Sequence, residues 1–328
     1  MAPHDSTPRA LITGGLGFIG GWLARRLLAE GYRVTALDMS GVPGSTAEAL
    51  GLVRHPAFTV VRGGVTDPGT YADLDDDFEV IVHAAAILGV DRVTRQSIET
   101  LDVNIRGTQL CLEFSRRQRL LRRFLLMSTS EVYGPRAGNA YEVSSLSLQT
   151  DSMRWSYAAS KAACEFLGMA YHHEQGVPVT IVRPFNVYGP HRYSPNAMTT
   201  FIARALRGED LDIRGDGNQR RSWCYISDFV HGLLRCIERP QAVGATFNLG
   251  NDAATLSVTE LARRIVELSG SASCLRTVDG GGPDVLDRSP SIEKAGRLLG
   301  YRPVVGLDAG IARVITSMRA SELACSAA

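Results

Sequence analysis

Tyr157 and Lys161 stand four residues apart and could do acid–base chemistry together. The stretch around them reads as helix, so the two side chains share one face. A phenol ionises near pH ~10 and is a poor base at neutral pH. A neighbouring ammonium, or a cationic nicotinamide held beside it, favours the phenolate. Tyr157 could then take a proton from an alcohol while hydride leaves the carbon, and Lys161 could hold a ribose. A surface Tyr–Lys pair of this spacing is common by chance. Its weight here comes from Met127-Ser-Thr-Ser-Glu-Val-Tyr-Gly134, one loop earlier, which sets a hydroxyl cluster at the carboxyl end of an expected strand. Ligands bind outside the carboxyl ends of strands in open α/β sheets.

Such chemistry needs a hydride acceptor, and Ala10-Leu-Ile-Thr-Gly-Gly-Leu-Gly-Phe-Ile-Gly20 offers a seat for one. A short apolar strand turns tightly through glycines into a helix beginning at Phe18. Backbone N–H groups around Gly14, Gly17, Phe18 and Ile19 then point at one spot, and the helix dipole adds positive charge there. A pyrophosphate suits that spot, and glycine lets backbone approach it closely. Arg33-Val-Thr-Ala-Leu-Asp38 reads as a second strand ending in an acid. The Asp38 carboxylate can accept from a ribose diol and would repel a 2′-phosphate. Met39, Ser40 and Gly41 supply no arginine, so NAD is the expected cofactor rather than NADP.

Around these residues the chain alternates strand-like and helical runs. Strands are expected at 10–13, 33–38, 58–62, 79–83, 124–128, 177–183 and 246–249, and helices at 18–28, 91–117, 157–175, 197–206, 258–269, 291–299 and 307–318. Residues 133–135 and 190–195 read as loop, and 210–222 as a turn region. Repeated strand–helix units predict an α/β, Rossmann-type, doubly wound parallel sheet. Residues 1–184 form the cofactor-binding domain, and part of 222–250 returns to it. Residues 185–328 form a smaller C-terminal substrate-binding lobe.

Composition narrows the partners. The chain has 328 residues, enough for a sizeable core, with 45% hydrophobic and 21% charged residues and a formal net charge of +1. No bulk field favours nucleic acid or an acidic membrane. The arginine-rich run at 116–123 is local and reads as a solvated helix end. No run has the length of a membrane span, and Met1 to Arg9 lacks an apolar signal core. The six cysteines form no C-x-x-C pair. They read as reduced packing residues of a cytoplasmic protein, with no metal site expected.

Five motifs together carry a resemblance. Thr13-Gly-Gly-Leu-Gly-Phe-Ile-Gly20, Thr129-Ser-Glu-Val-Tyr-Gly134, Tyr157-x-x-x-Lys161, Arg183-Pro-Phe-Asn-Val-Tyr-Gly-Pro190 and Gly215-Asp-Gly-x-Gln-x-Arg221 resemble the extended short-chain dehydrogenase/reductase family, from Arg9 to about Met318. The resemblance implies a nucleotide-sugar enzyme holding NAD. It makes Thr129, Tyr157 and Lys161 a hydride-transfer triad and places Asn186 and Arg221 on the nucleotide diphosphate. Thr129-Ser130-Glu131, Arg154-Trp-Ser-Tyr157 and Arg288-Ser-Pro-Ser-Ile292 resemble the UDP-glucuronic acid decarboxylases within it. That branch implies oxidation at C4″ of UDP-glucuronate, loss of CO₂ from the β-keto acid, and either re-reduction to UDP-xylose or release of the ketone. Glu131 and Ser130 would orient or repel the carboxylate, and Arg288 would bind it and help protonate C5″. A homodimer through the helices at 91–117 and 157–175 is also implied.

Departures and rivals stand beside this. Gly64 occupies the place of a family Asp that contacts adenine, which leaves adenine to backbone near Val65. Asp67 is expected to cap the next segment. His191 stands where the decarboxylases often have Arg. Ala84 and Ala86 fit a loop lining the cofactor, or simple packing of small residues. The rival enzymes are a 4-epimerase and a 4,6-dehydratase-like protein, although the dehydratases carry Asp at the position of Ser130. A non-catalytic NAD sensor is the rival outside enzymes; it would be expected to lose Thr129, Tyr157 or Lys161.

Overall fold

Apolar runs of four to six residues, bounded by glycine and polar turns, become the strands of the central sheet. The computed structural model describes residues 7–279 and 285–326. Seven strands lie side by side: β1 (Arg9–Thr13), β2 (Arg33–Asp38), β3 (Phe58–Arg62), β4 (Val80–His83), β5 (Arg123–Met127), β6 (Val179–Pro184) and β7 (Ala245–Leu249). Their order is β7-β6-β5-β4-β1-β2-β3, and every pairing is parallel. This is the expected doubly wound fold, with β7 returning to the sheet edge beside β6. The order reverses between β1 and β4, so their carboxyl ends open a crevice. Alternate side chains serve opposite faces: Ala10 and Ile12 pack towards one, Leu11 towards the other.

Three helices matter most for the site: α1 (Phe18–Ala29), α2 (Ser97–Arg116) and α3 (Ser156–Gln175). The single helix expected at 91–117 is two, Val90–Arg95 and α2, broken at Gln96 with φ −128°. At the break Ser97 Oγ donates to the Val93 carbonyl, and Thr100 Oγ1 shares the Gln96 carbonyl with the Thr100 N–H. A helix at Ile226–Glu238 was not expected. Its apolar spacing (Ile226, Phe229, Val230, Leu233, Ile237) is helical and was legible. The turn expected at 210–222 contains strands Leu211–Arg214 and Arg220–Ser222. Leu211 and Ile213 alternate inward, and the first strand pairs with Leu275–Val278.

A second, mixed sheet stitches the two halves of the chain. Its order is Thr255–Ser257, Arg220–Ser222, Asp287–Pro290, Arg136–Ala140. Arg288 therefore sits in register between Arg221 and Ala137.

Two buried polar networks lock the crevice. His83 lies fully buried between Thr13 Oγ1 (2.9 Å) and Thr108 Oγ1 (3.1 Å). The Thr108 hydroxyl donates to the Asn104 carbonyl, so His83 Nε2 carries the proton and Nδ1 accepts from Thr13. Burial pushes His83 down to about 3, so it stays neutral. Arg183 grips Glu165 with two hydrogen bonds of 2.9 and 2.6 Å, and Glu165 also holds the Ser128 hydroxyl. Ser128 directly precedes Thr129, so this pair fixes the strand end that presents the hydroxyl cluster.

Of the cysteines, Cys111, Cys164, Cys224 and Cys236 are buried packing residues. Cys274 is exposed, contrary to expectation, because it precedes the short strand at 275–278 at the molecule's rim. The Cys325 side chain lies outside the described residues. No helix among the described residues is long and apolar enough to cross a membrane.

Candidate active site

The glycine turn forms as its spacing predicts. Gly14 adopts φ +71°, and a Cβ there would lie 2.9 Å from the Ala85 nitrogen. A Cβ on Gly20 would strike the Gly14 carbonyl at 2.2 Å. Gly17 caps α1 without a side chain, and the first turn carries no acid. The leading N–H groups at Phe18, Ile19 and Gly20 thus have no intrahelical partner and no competing carboxylate. Asp38 ends β2 beside this turn. Its oxygens accept from Leu16 N (3.1 Å) and Ser40 N (3.0 Å), which fixes the carboxylate and leaves lone pairs for a diol. Ala84 N donates to the Thr13 carbonyl, which ties the start of the 84–86 loop to the carboxyl end of β1. Val65 is buried beneath it, its carbonyl accepting from Tyr71 OH. Asp67 caps the helix at Pro68–Ala72 through Gly69 N. The donor set fits a dinucleotide.

Beside the crevice lies a cavity of about 1020 Å³. Ile19, Thr129, Ser130, Glu131, Asn186, Arg221 and Arg288 all line it. β5 delivers Thr129, which caps a single 3₁₀ turn, Ser130–Tyr133, by accepting from Glu131 N at 3.2 Å. That turn aims Glu131 at Arg288, Nη1 to Oε1 3.3 Å. Arg288 is buried, and its Nε and Nη2 have no hydrogen-bond partner. Asn186 adopts φ +27° and donates to the Ser222 carbonyl at 3.0 Å. Arg221 donates to the Val285 carbonyl at 2.7 Å.

α3 brings Tyr157 to Thr129, whose hydrogen bond favours the phenolate. Burial dominates, however, and with the Glu131 charge holds the phenol above its ordinary value, while Arg288 opposes them. Lys161 is buried and donates to the Met127 carbonyl at 2.8 Å, its pKa lowered by burial. Thus 157 shares the site with 129, 131 and 288, while 161 reaches under it from the same helix.

Several cavity residues escaped sequence reading. Trp223 is buried with its indole Nε1 unpartnered, and Gln219 Oε1 is likewise unsatisfied. Both flank Arg221, and the Gly215–Arg221 motif was the available signal. Arg204 pairs with Asp212 at 2.5 Å across the far wall.

Fold and crevice together define a Rossmann-fold, dinucleotide-dependent enzyme, in which Tyr157 meets Thr129 beside an arginine-lined cavity. The chain belongs to the NAD dependent epimerase/dehydratase family, whose model matches residues 10–250. It is 33% identical over 310 residues to UDP-glucuronic acid decarboxylase 6 of Arabidopsis thaliana, covering 94% of this chain and 88% of that one. It is also 33% identical to the UDP-N-acetyl-alpha-D-glucosaminuronate decarboxylase of Bacillus cytotoxicus, covering 96% and 98%. The UDP-glucuronic acid 4-epimerase of Bacillus cereus, solved with UDP-glucuronic acid and NAD, superposes with a TM-score of 0.86 at 27% identity, covering 95% and 99%.

Proposed function

We propose that this protein is an NAD-dependent decarboxylase of UDP-glucuronic acid. The observation that carries the reading is Arg288: buried, paired with Glu131 on one nitrogen, and offering two unpartnered N–H donors beside Thr129 and Tyr157. A guanidinium fork suits a carboxylate. Relatives that decarboxylate UDP-sugars over nearly the whole chain support it.

Bound NAD⁺ would accept hydride from C4″ and could return it to give UDP-xylose. The remaining steps belong to the chain. Tyr157 takes the C4″ hydroxyl proton, its raised pKa making it a strong base once ionised. Oxidation leaves the carboxylate β to a ketone, so CO₂ departs as the ketone oxygen gathers enolate charge. Thr129 and Tyr157 donate to that oxygen. Arg288 grips the carboxylate, Glu131 keeps Arg288 in place, and Ser130 lines the same wall. Loss of CO₂ leaves C5″ as the nucleophilic carbon of that enolate, and Arg288 is placed to help deliver the proton that C5″ takes up to give the 4-keto pentose. Lys161 braces the ribose side, while Asn186 and Arg221 hold the diphosphate.

In this reading residues 1–184 with β7 serve the cofactor and 185–328 the nucleotide sugar. α2 and α3 pack together and expose Ile98 and Phe166, which supports a homodimer through that face. Four buried, unpaired cysteines accord with a cytoplasmic setting. Incubation with UDP-glucuronate and NAD⁺, read by mass spectrometry, tests the assignment. A product lighter by CO₂ is expected; an isobaric uronate would instead make it a 4-epimerase. Parallel incubation with the 2-acetamido uronate tells the two decarboxylase substrates apart.

A further inference from the structure

Five arginines line the cavity, at positions 192, 204, 214, 221 and 288. Arg204 has Asp212, Arg221 has the Val285 carbonyl, Arg288 has Glu131, and Arg214 is exposed. Arg192 is different. Its guanidinium has no hydrogen bond or ion pair with any described residue, and its buried Nε is unsatisfied. Its one described contact is the Phe18 ring, 5.2 Å away at the start of α1. Burial lowers its pKa with no acid to offset the loss of water. The residue is half-buried, and an enclosed guanidinium nitrogen without a partner is costly, so an arginine left this way on a cavity wall suits an incoming anion.

The backbone explains why position 192 takes this place and position 191 does not. His191 adopts φ +59°, a left-handed conformation uncommon outside glycine in which asparagine, aspartate and histidine are the enriched exceptions. Its carbonyl accepts from Thr46 Oγ1 at 2.7 Å, and the Pro190 carbonyl accepts from Trp22 Nε1 at 3.2 Å. The loop is therefore clamped to α1 and to the segment after β2. His191 sits beside Arg25 and does not line the cavity. The reversed backbone turns the next side chain inward.

We infer that Arg192 binds an oxyanion of the nucleotide sugar, its diphosphate or its uronate carboxylate, from the α1 side of the cavity. The inference rests on the proposed substrate class, and its test separates the two.

Arg192→Met keeps an unbranched stem on Phe18 and removes only the charge. Binding of UDP, UDP-glucuronate and NAD⁺ to wild type and variant is measured by calorimetry, with thermal unfolding as the check on folding. Expected is a ten- to hundredfold weaker affinity for UDP-glucuronate, NAD⁺ binding unchanged within about twofold, and partial rescue by Arg192→Lys. A matching loss for UDP assigns the diphosphate; a loss confined to UDP-glucuronate assigns the carboxylate. Unchanged affinity for both uridine ligands, or a loss confined to NAD⁺, overturns the inference. Wild-type protein that binds neither uridine ligand overturns both this inference and the substrate class beneath it, whereas wild-type binding matched by the variant overturns this one alone.

Discussion

Replacing Arg288 with glutamine should separate recognition of the acid group from everything else the site does. The side chain is 8% exposed, and Glu131, its partner at 3.3 Å, is 21% exposed. Its Nε and Nη2 are buried without a hydrogen-bond partner, and the residue lines the same cavity as Thr129. A hydrogen bond to a charged group contributes about 1.5–3 kcal/mol, and two such bonds sharing one carboxylate come to about 3 kcal/mol net. That corresponds to roughly a hundredfold loss in kcat/KM for UDP-glucuronate. Glutamine leaves an amide for Glu131, so the acid is not stranded. UDP and UDP-glucose lack the carboxylate, and their dissociation constants should move less than about threefold. NAD⁺ binding should not move, because the glycine turn and Asp38 belong to β1, α1 and β2, none of which pairs with the strand that carries Arg288. Arg288→Lys should recover part of the loss, since a point charge replaces the fork. A kcat/KM within threefold of wild type, or an equal loss for UDP and UDP-glucuronate, would refute the reasoning.

Other consequences follow from the same geometry. The Glu131 charge raises the Tyr157 phenol, so Glu131→Gln should move the ascending limb of the kcat/KM–pH profile to lower pH; an unmoved or rising limb counts against that coupling. Neutral, buried His83 carries a folded-state pKa depressed to about 3, below its unfolded value of 6.5. Its contribution is therefore complete above about pH 6.5 and is lost as pH falls towards 3, by up to about 1.4 kcal/mol per pH unit for one proton. His83→Asn should flatten that acid limb in denaturant titrations, and an unchanged slope would show that His83 is not its source. Removing Arg183 strands Glu165 and loosens Ser128, so Arg183→Met should cost about 3–5 kcal/mol in urea unfolding; a cost under 1 kcal/mol would mean that water already serves Glu165.

Much of the architecture was legible because it is local. Short apolar strand runs, glycines at the turn after β1, and the acid ending β2 each depend on neighbours within a few residues. The boundaries of Ala197–Leu206 and Val258–Ser269 were readable for the same reason: an Asn or Ser cap and an apolar stripe mark them. Around Gln96, where side-chain hydroxyls bond to backbone carbonyls, a single long helix was expected and two formed.

Chain order alone thus determined the doubly wound sheet and the dinucleotide seat, and it picked out Thr129, Tyr157 and Lys161 as site candidates, since those signals are carried by short spacings. Tertiary structure decided the electrostatics. Glu131 and Arg288 meet across 157 residues only because Asp287–Pro290 threads between two strands from distant parts of the chain. The phenol of Tyr157 is raised because burial outweighs the groups that favour its ionised form. Arg192 faces the cavity because His191 takes a left-handed turn that no local pattern announces. Burial and charge pairing are sums over neighbours brought together by folding, so they are settled where the chain closes on itself.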